Sequence, residues 1–273
     1  MYQQYRPTQQ GMPVVVKNIL IINVLFYLGT IVLGDKFHIN LYDLLGLHYF
    51  TSDLFYPHQL ITHMFMHGSF MHIAFNLFSI WMFGSLLEQL WGPKRFLIFY
   101  FATGLGAAAM QLGIDSYQIE HIRALADAYA AAPSSATFDV IEWSNYLRSG
   151  GYESLLNAHQ SEVINPSTIA NVKGLFSDVI NAKEDGVMVG ASGAGYGILV
   201  GFATLFPNTL LYLYFAIPVK AKWAVAGLIA IDLFGGLSNS PTDNIAHFAH
   251  LGGALVGFLM IKYWNRNNRR SLF

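Results

Sequence analysis

The chain predicts an all-α, polytopic membrane protein: six transmembrane helices, with a polar helical insert between the third and the fourth. Three observations carry this expectation. Of 273 residues, 54% are hydrophobic and only 11% charged, against a charged share of about 25% in soluble domains. Apolar stretches recur at close to the roughly 20 residues that a helix needs to cross hydrocarbon. Lys and Arg gather in alternate loops, the asymmetry that orients membrane proteins.

Taken in order, the tail 1–13 is polar and Gln-rich with no small-residue cleavage site, so 14–33 reads as a retained first span and not as a signal peptide. Further spans are expected at 69–90, 95–112, 187–206, 221–237 and 245–264, which makes a membrane core over 14–264 followed by a basic tail, 265–273. The apolar piece 208–219 is only about half the spanning length of roughly 20 residues. It lies between Pro207 and Pro218, which interrupt a continuing helix. An interfacial or re-entrant segment is expected there.

Arg6, Lys17, Lys94, Arg95, Lys220, Lys222, Lys262, Arg266, Arg269 and Arg270 all fall on one side of a six-span topology. That side is the cytoplasm, and both termini lie in it. The insert 113–186 faces outward and is acidic on balance. Two helices are expected within it: one with Ile119, Ile122, Ala126 and Tyr129 on its apolar face, and one with Ile169, Val172, Phe176, Val179 and Ile180, opened by Asn165 as cap and Pro166 in the first turn. The retained first span and the lack of a targeting presequence favour a bacterial inner membrane.

Composition also narrows the chemistry. A net charge of −1 implies no nucleic-acid partner, and the absence of cysteine removes disulfides, thiolate metal sites and a thiol nucleophile. The lipid bilayer is the partner that is implied directly.

The polar residues inside the spans are the informative ones, because lipid tolerates them poorly. Ser192, in Gly190-Ala191-Ser192-Gly193, stands where a polar loop becomes an apolar span; His72 and Asn76 open another span, and His250 lies near the start of a third. All three spans enter from the outer face, which places these groups at one depth, roughly 5 to 10 Å below the outer boundary at about 1.5 Å per residue. His72 and Asn76 are four apart and share a helix face. Gly193, Gly197 and Gly201 recur every four residues on one span, and Gly253 and Gly257 on another; small residues so spaced let helix backbones approach closely. A serine hydroxyl beside an imidazole that titrates near neutrality is an activated nucleophile.

Three motifs in this order, His72-Ile73-Ala74-Phe75-Asn76, Gly190-Ala191-Ser192-Gly193 with Tyr196, and Ala249-His250-Leu251-Gly252-Gly253 with Gly257, resemble those of the rhomboid intramembrane serine proteases. The resemblance covers the six-span core and not the insert. It implies a serine endopeptidase that cleaves membrane-anchored proteins in or near their transmembrane segments. Ser192 would be the nucleophile and His250 the base, with His72, Asn76 and the backbone N–H of Ser192 as the oxyanion hole, and with no cofactor. Gly190, Gly193, Tyr196, Gly253 and Gly257 would support the site.

A dyad is expected and not a triad: no carboxylate is evidently placed to orient His250, and Asp232 in the fifth span reads as a helix–helix or helix–loop hydrogen-bond partner. His58, His63, His67 and His247 carry no metal signature such as His-Glu-x-x-His, so no metal is expected. His63 and His67 take the family's structural role, packing beneath the outer loop. His58-Gln59 stands where many rhomboids carry a Trp-Arg pair. Two other readings remain open at this stage: a catalytically silent rhomboid-like protein that binds transmembrane helices, and a solute or metal transporter using the buried histidines.

Overall fold

A computed structural model describes residues 11–134, 137, 165–213, 217–238 and 246–270. The centre of the insert, the 239–245 loop and the extreme termini, including Arg6, lie outside the described residues.

The first helix, α1 (Val14–Phe37), begins after Pro13, which supplies no side-chain cap. The cap comes from elsewhere: both carboxylate oxygens of buried Glu88 accept the Val15 and Val16 N–H groups, at 2.9 and 2.8 Å. An anion at a helix N-terminus satisfies orphan donors and complements the dipole. The chain then winds through short helices α2 (Leu41–Leu45) and α3 (Gln59–Thr62), with a 3₁₀ turn at His63–Phe65. Next comes a continuous 22-residue helix, Phe70–Trp91. It is built of α4 (Phe70–Ser79), a π turn (Ile80–Gly84) and α5 (Ser85–Trp91), with Ser69 capping α4 through its hydroxyl.

Helix α6 (Pro93–Ala131) is 39 residues long and passes the expected end of the third span at 112 without a break. Its C-terminal half pairs with α7 (Pro166–Glu184), which Asn165 caps and Pro166 opens. Ile122, Tyr129, Val172 and Phe176 form a small core of their own between the two, along the apolar faces visible in the sequence.

Helix α8 (Ser192–Leu205) follows, then two short strands, β1 (Leu210–Leu213) and β2 (Ile217–Lys220), then α9 (Ala221–Ser238) and α10 (His247–Arg270). The strands pair antiparallel, Leu210 opposite Lys220 and Leu213 opposite Ile217. The fold is mostly helical, and within the 208–219 piece, expected to be interfacial or re-entrant, the described residues form these two paired strands. Pro218 sits on a strand with only one neighbour, where its missing N–H breaks no central ladder.

Among the described residues, three helices are long and apolar enough to cross a membrane: Val14–Phe37, Phe70–Trp91 and Pro93–Ala131. Ser192–Leu205 is apolar but shorter. Outward faces carry large apolar side chains, with Leu25, Phe75 and Phe234 61%, 67% and 72% exposed. Water would tolerate so continuous a surface badly, whereas lipid is its natural solvent. The chain is a multi-pass integral membrane protein.

The centre of the bundle is a three-helix seam of α6, α8 and α10. A Cβ on Gly253 would run into the Gly193 carbonyl oxygen, and one on Gly257 would lie 2.9 Å from Gly197 Cα. The backbones of α8 and α10 therefore touch, as small residues permit. The ladder on α8 looks mainly the other way: a Cβ on Gly193 would fall 2.3 Å from Ala107 Cβ, and one on Gly197 would fall 2.5 Å from Thr103 Cγ2, both on α6. The two glycine ladders serve two interfaces, where the sequence suggests one.

Candidate active site

Ser192 is the first residue of α8, and Gly190 places it there. Gly190 has φ +126°, a conformation that side chains resist. A Cβ at Gly190 would also meet His72 Nε2 at 2.7 Å. The Gly190 N–H donates to the His63 carbonyl at 2.9 Å, and Leu47 and Met188 exchange backbone hydrogen bonds of 2.9 and 2.8 Å. The loop before Ser192 is thus sewn to the loop that follows α1.

His250, in the first turn of α10, brings Nε2 to 2.9 Å from Ser192 Oγ. The two residues are 58 positions apart in sequence and lie on the helices whose backbones touch. Tyr196, one turn along α8 from Ser192, stacks on the His250 ring at 4.3 Å between centroids and 7° between planes. The imidazole is fixed on one face by an aromatic plate and at one edge by the serine.

The other edge is where the structure departs from expectation. Asp232 on α9, only 3% exposed, lies with Oδ1 3.0 Å from His250 Nδ1 and 2.6 Å from His247 Nδ1. The expected helix–helix hydrogen bond of Asp232 is present, but it falls on His250 itself, so the absence of a carboxylate at that imidazole does not hold. Space for it is made by Gly235, where a Cβ would strike the His247 ring at 2.6 Å. Asp232, His247 and His250 also form a group of metal-capable side chains with ligand atoms within 4.8 Å of one another. These are not the His58, His63 and His67 weighed from spacing.

On the opposite side, α4 packs against α8 and presents His72 and Asn76. Asn76 is buried, and its Nδ2 has no hydrogen-bond partner. A buried donor left unpaired is uncommon and expensive. The N–H of Ser192, at a helix start, has no carbonyl one turn earlier to bond. A cavity of about 10 Å³ lies beside the serine, lined by His63, Gly104, Ala107, Ser192, Gly193 and Ala249 among others. That is the lower end of what holds a single water.

His63 and His67 do not reach the serine as side chains. Both are buried in the loop between α1 and α4, with Nδ1 2.7 Å from the Gln59 carbonyl and 3.3 Å from the Phe65 carbonyl, respectively. Desolvation pulls both imidazoles down from the ordinary 6.5 to about 4, so they are neutral. Gln59 is fully buried and braces the loop, accepting from the His48 N–H and donating to the Asp43 and Leu54 carbonyls. The neighbouring His58 bonds the Leu44 carbonyl at 2.7 Å. The His58-Gln59 pair holds the loop from within.

Comparison with known proteins agrees with this class of membrane protein. The Rhomboid domain family matches residues 55–140 and 167–266. The chain is 30% identical over 199 residues to RHOMBOID-like protein 12, mitochondrial, of Arabidopsis thaliana, covering 73% of this chain and 44% of that protein. It is 25% identical over 228 residues to an uncharacterized mitochondrial rhomboid protein of Schizosaccharomyces pombe, covering 78% of this chain and 52% of the relative. A shorter match, 36% over 47 residues, is to the rhomboid protease GluP of Bacillus subtilis, over 17% of this chain and 9% of that one. The chain spans about half the length of the first two relatives. It belongs to the rhomboid family. Both long matches carry mitochondrial names, which does not support the expected bacterial inner membrane.

Proposed function

We propose that this chain is an intramembrane serine endopeptidase that hydrolyses peptide bonds in or near the transmembrane segments of membrane-anchored proteins. The observation that carries the reading is the 2.9 Å contact between His250 Nε2 and Ser192 Oγ, within hydrogen-bond reach for nucleophile activation. His250 takes the hydroxyl proton as Ser192 Oγ bonds to the scissile carbonyl carbon. The C–N bond then breaks and His250 returns that proton to the leaving amine. Water, activated by the same imidazole, hydrolyses the acyl-enzyme.

Negative charge on the carbonyl oxygen needs donors fixed in advance. Asn76 Nδ2, His72 and the Ser192 N–H are the donors proposed, and the unpaired state of Asn76 Nδ2 supports the first. Helical peptide groups are already bonded and shielded, so substrates with small or helix-weakening residues near the cut are expected. No cofactor enters the reaction.

The proposal includes the six-span count, with α8, α9 and α10 as the last three spans, an outward-facing insert over 113–186, and cytoplasmic termini. The membrane is that of a bacterial cell in the sequence reading, and the names of two relatives favour a mitochondrial one. Fractionation of cells expressing the tagged chain separates the two.

The test is a cleavage assay on a panel of single-span substrates in proteoliposomes, run beside Ser192→Ala. Cleavage by the wild type alone is expected. Equal turnover in Ser192→Ala would reject the nucleophile. Helix binding with no cleavage by the wild type would favour the silent rhomboid-like reading, which the retained serine and histidine argue against.

A further inference from the structure

We infer that Asp232 is a positioning residue that completes a serine–histidine–aspartate chain inside the membrane, with His247 holding the aspartate in place. The inference rests on the proposed roles of Ser192 and His250 and adds a third group to them.

An ionised carboxylate only accepts hydrogen bonds, and a neutral imidazole carries one N–H. With Asp232 Oδ1 3.0 Å from His250 Nδ1, the proton of His250 resides on Nδ1. Its Nε2 is then the bare acceptor facing Ser192 Oγ at 2.9 Å. The opposite tautomer would present a donor to the serine and could not act as a base. The carboxylate also stabilises the imidazolium that forms when the serine proton arrives, as buried aspartates do beside histidine in soluble serine proteases.

Gly235 and Gly236 already bring α9 against His247 and Phe248 of α10, and hydrogen bonds fix the carboxylate within that contact. His247, one turn from His250 on α10, donates to the same oxygen at 2.6 Å. The carboxylate is thereby bridged between two imidazoles of one helix, and the bridge clips α9 to α10 at the depth of the serine. The groups facing His250 are Asp232, His247, the stacked Tyr196 and His72, near enough across the cleft to interact electrostatically.

The test uses the full-length protein in proteoliposomes, comparing wild type, Asp232→Asn, Asp232→Glu and His247→Gln. For Asp232→Asn, kcat is expected to fall by roughly 10² to 10⁴, the upper value being that of the same change in a soluble triad, with KM within about threefold. The acid limb of its kcat/KM profile should move to lower pH, because the imidazolium has lost its anion. Asp232→Glu should recover part of kcat, and His247→Gln should lose less than Asp232→Asn.

Nitrogen-15 spectra of histidine-labelled wild type should place the His250 proton on Nδ1, a readout that needs no folded variant. Wild-type cleavage with Asp232→Asn unchanged in kcat and pH profile, or a wild-type proton on Nε2, overturns the positioning role and leaves the dyad standing. Failure of the wild type to cleave any substrate overturns the dyad reading instead.

Discussion

The α8–α10 seam and helix α9 hold the same cluster of polar groups by opposite means. Ser192 and His250 stand on helices in backbone contact, where glycines leave no slack at Gly193–Gly253 and Gly197–Gly257. Asp232 stands on a helix whose outward face is apolar and exposed: Trp223, Ile231, Phe234 and Leu237 are 65%, 66%, 72% and 67% exposed. Packing sets the serine–imidazole distance. On the carboxylate side, hydrogen bonds to two imidazoles join the packing of Gly235 and Gly236 against His247 and Phe248. One cluster of polar groups is thus held on one side by backbone contact alone and on the other by side-chain hydrogen bonds added to packing.

The largest effect should come from the seam's own chemistry. His250→Ala is expected to lower kcat/KM by about 10⁴ to 10⁶, the scale on which catalytic groups of serine hydrolases act, measured by cleavage of a reconstituted substrate. Asn76→Ala should follow, with a loss of about 10² to 10³ in kcat and little change in KM, as for a single oxyanion donor. A loss in KM alone would move Asn76 from the oxyanion to substrate binding.

Glycine substitutions sharpen the contrast directly. A methyl at Gly253 pushes α10 off the Gly193 carbonyl, and a displacement near 1 Å at reacting atoms lowers rate by about 10²-fold; Gly253→Ala should show that loss. Gly227 on α9 has nothing within 4 Å of where its Cβ would be. Gly227→Ala should leave the rate unchanged and, by the helix preference for alanine, alter stability by at most about 1 kcal/mol. Equal damage from both would erase the distinction between the regions.

A smaller effect belongs to the loop beneath the outer surface. His63 and His67 have folded values near 4 against the ordinary 6.5, so the unfolded chain binds more protons between those limits. Stability from these groups is therefore complete above about pH 6.5 and lost as pH falls towards 4. Thermal unfolding in detergent should show that decline, and His63→Gln should flatten it.

Much of this was legible in the sequence, for identifiable reasons. Ser192 and His250 announced themselves as polar residues at span mouths followed by glycine ladders, and Asn165-Pro166 marked the start of α7 because capping chemistry is local. The reach of Asp232 to His250 is not legible in the sequence, because that partner lies 18 residues on, on another helix, where no local pattern encodes the contact. The available signal was His247 three before His250, two imidazoles on one helix face, together with a lone acid in an apolar span. The strands within 208–219 are not evident from hydrophobicity, length and the flanking Pro207 and Pro218, which mark an interrupted helix and leave the backbone between them open; two four-residue strands fit the stretch, with Pro218 on an edge. The continuation of α6 beyond 112 is hidden in the sequence because the change from apolar to polar coincides with Gly113, a residue type common just past helix ends.

The central claim is that Ser192 is a nucleophile made reactive by its neighbour on α10. Covalent labelling by a fluorophosphonate, followed by mass spectrometry of the reconstituted protein, tests it most directly. A single adduct on Ser192 is expected in the wild type, forming at least about 10²-fold more slowly in His250→Ala and absent in Ser192→Ala. No adduct on Ser192, or labelling at an equal rate when His250 is removed, would contradict it.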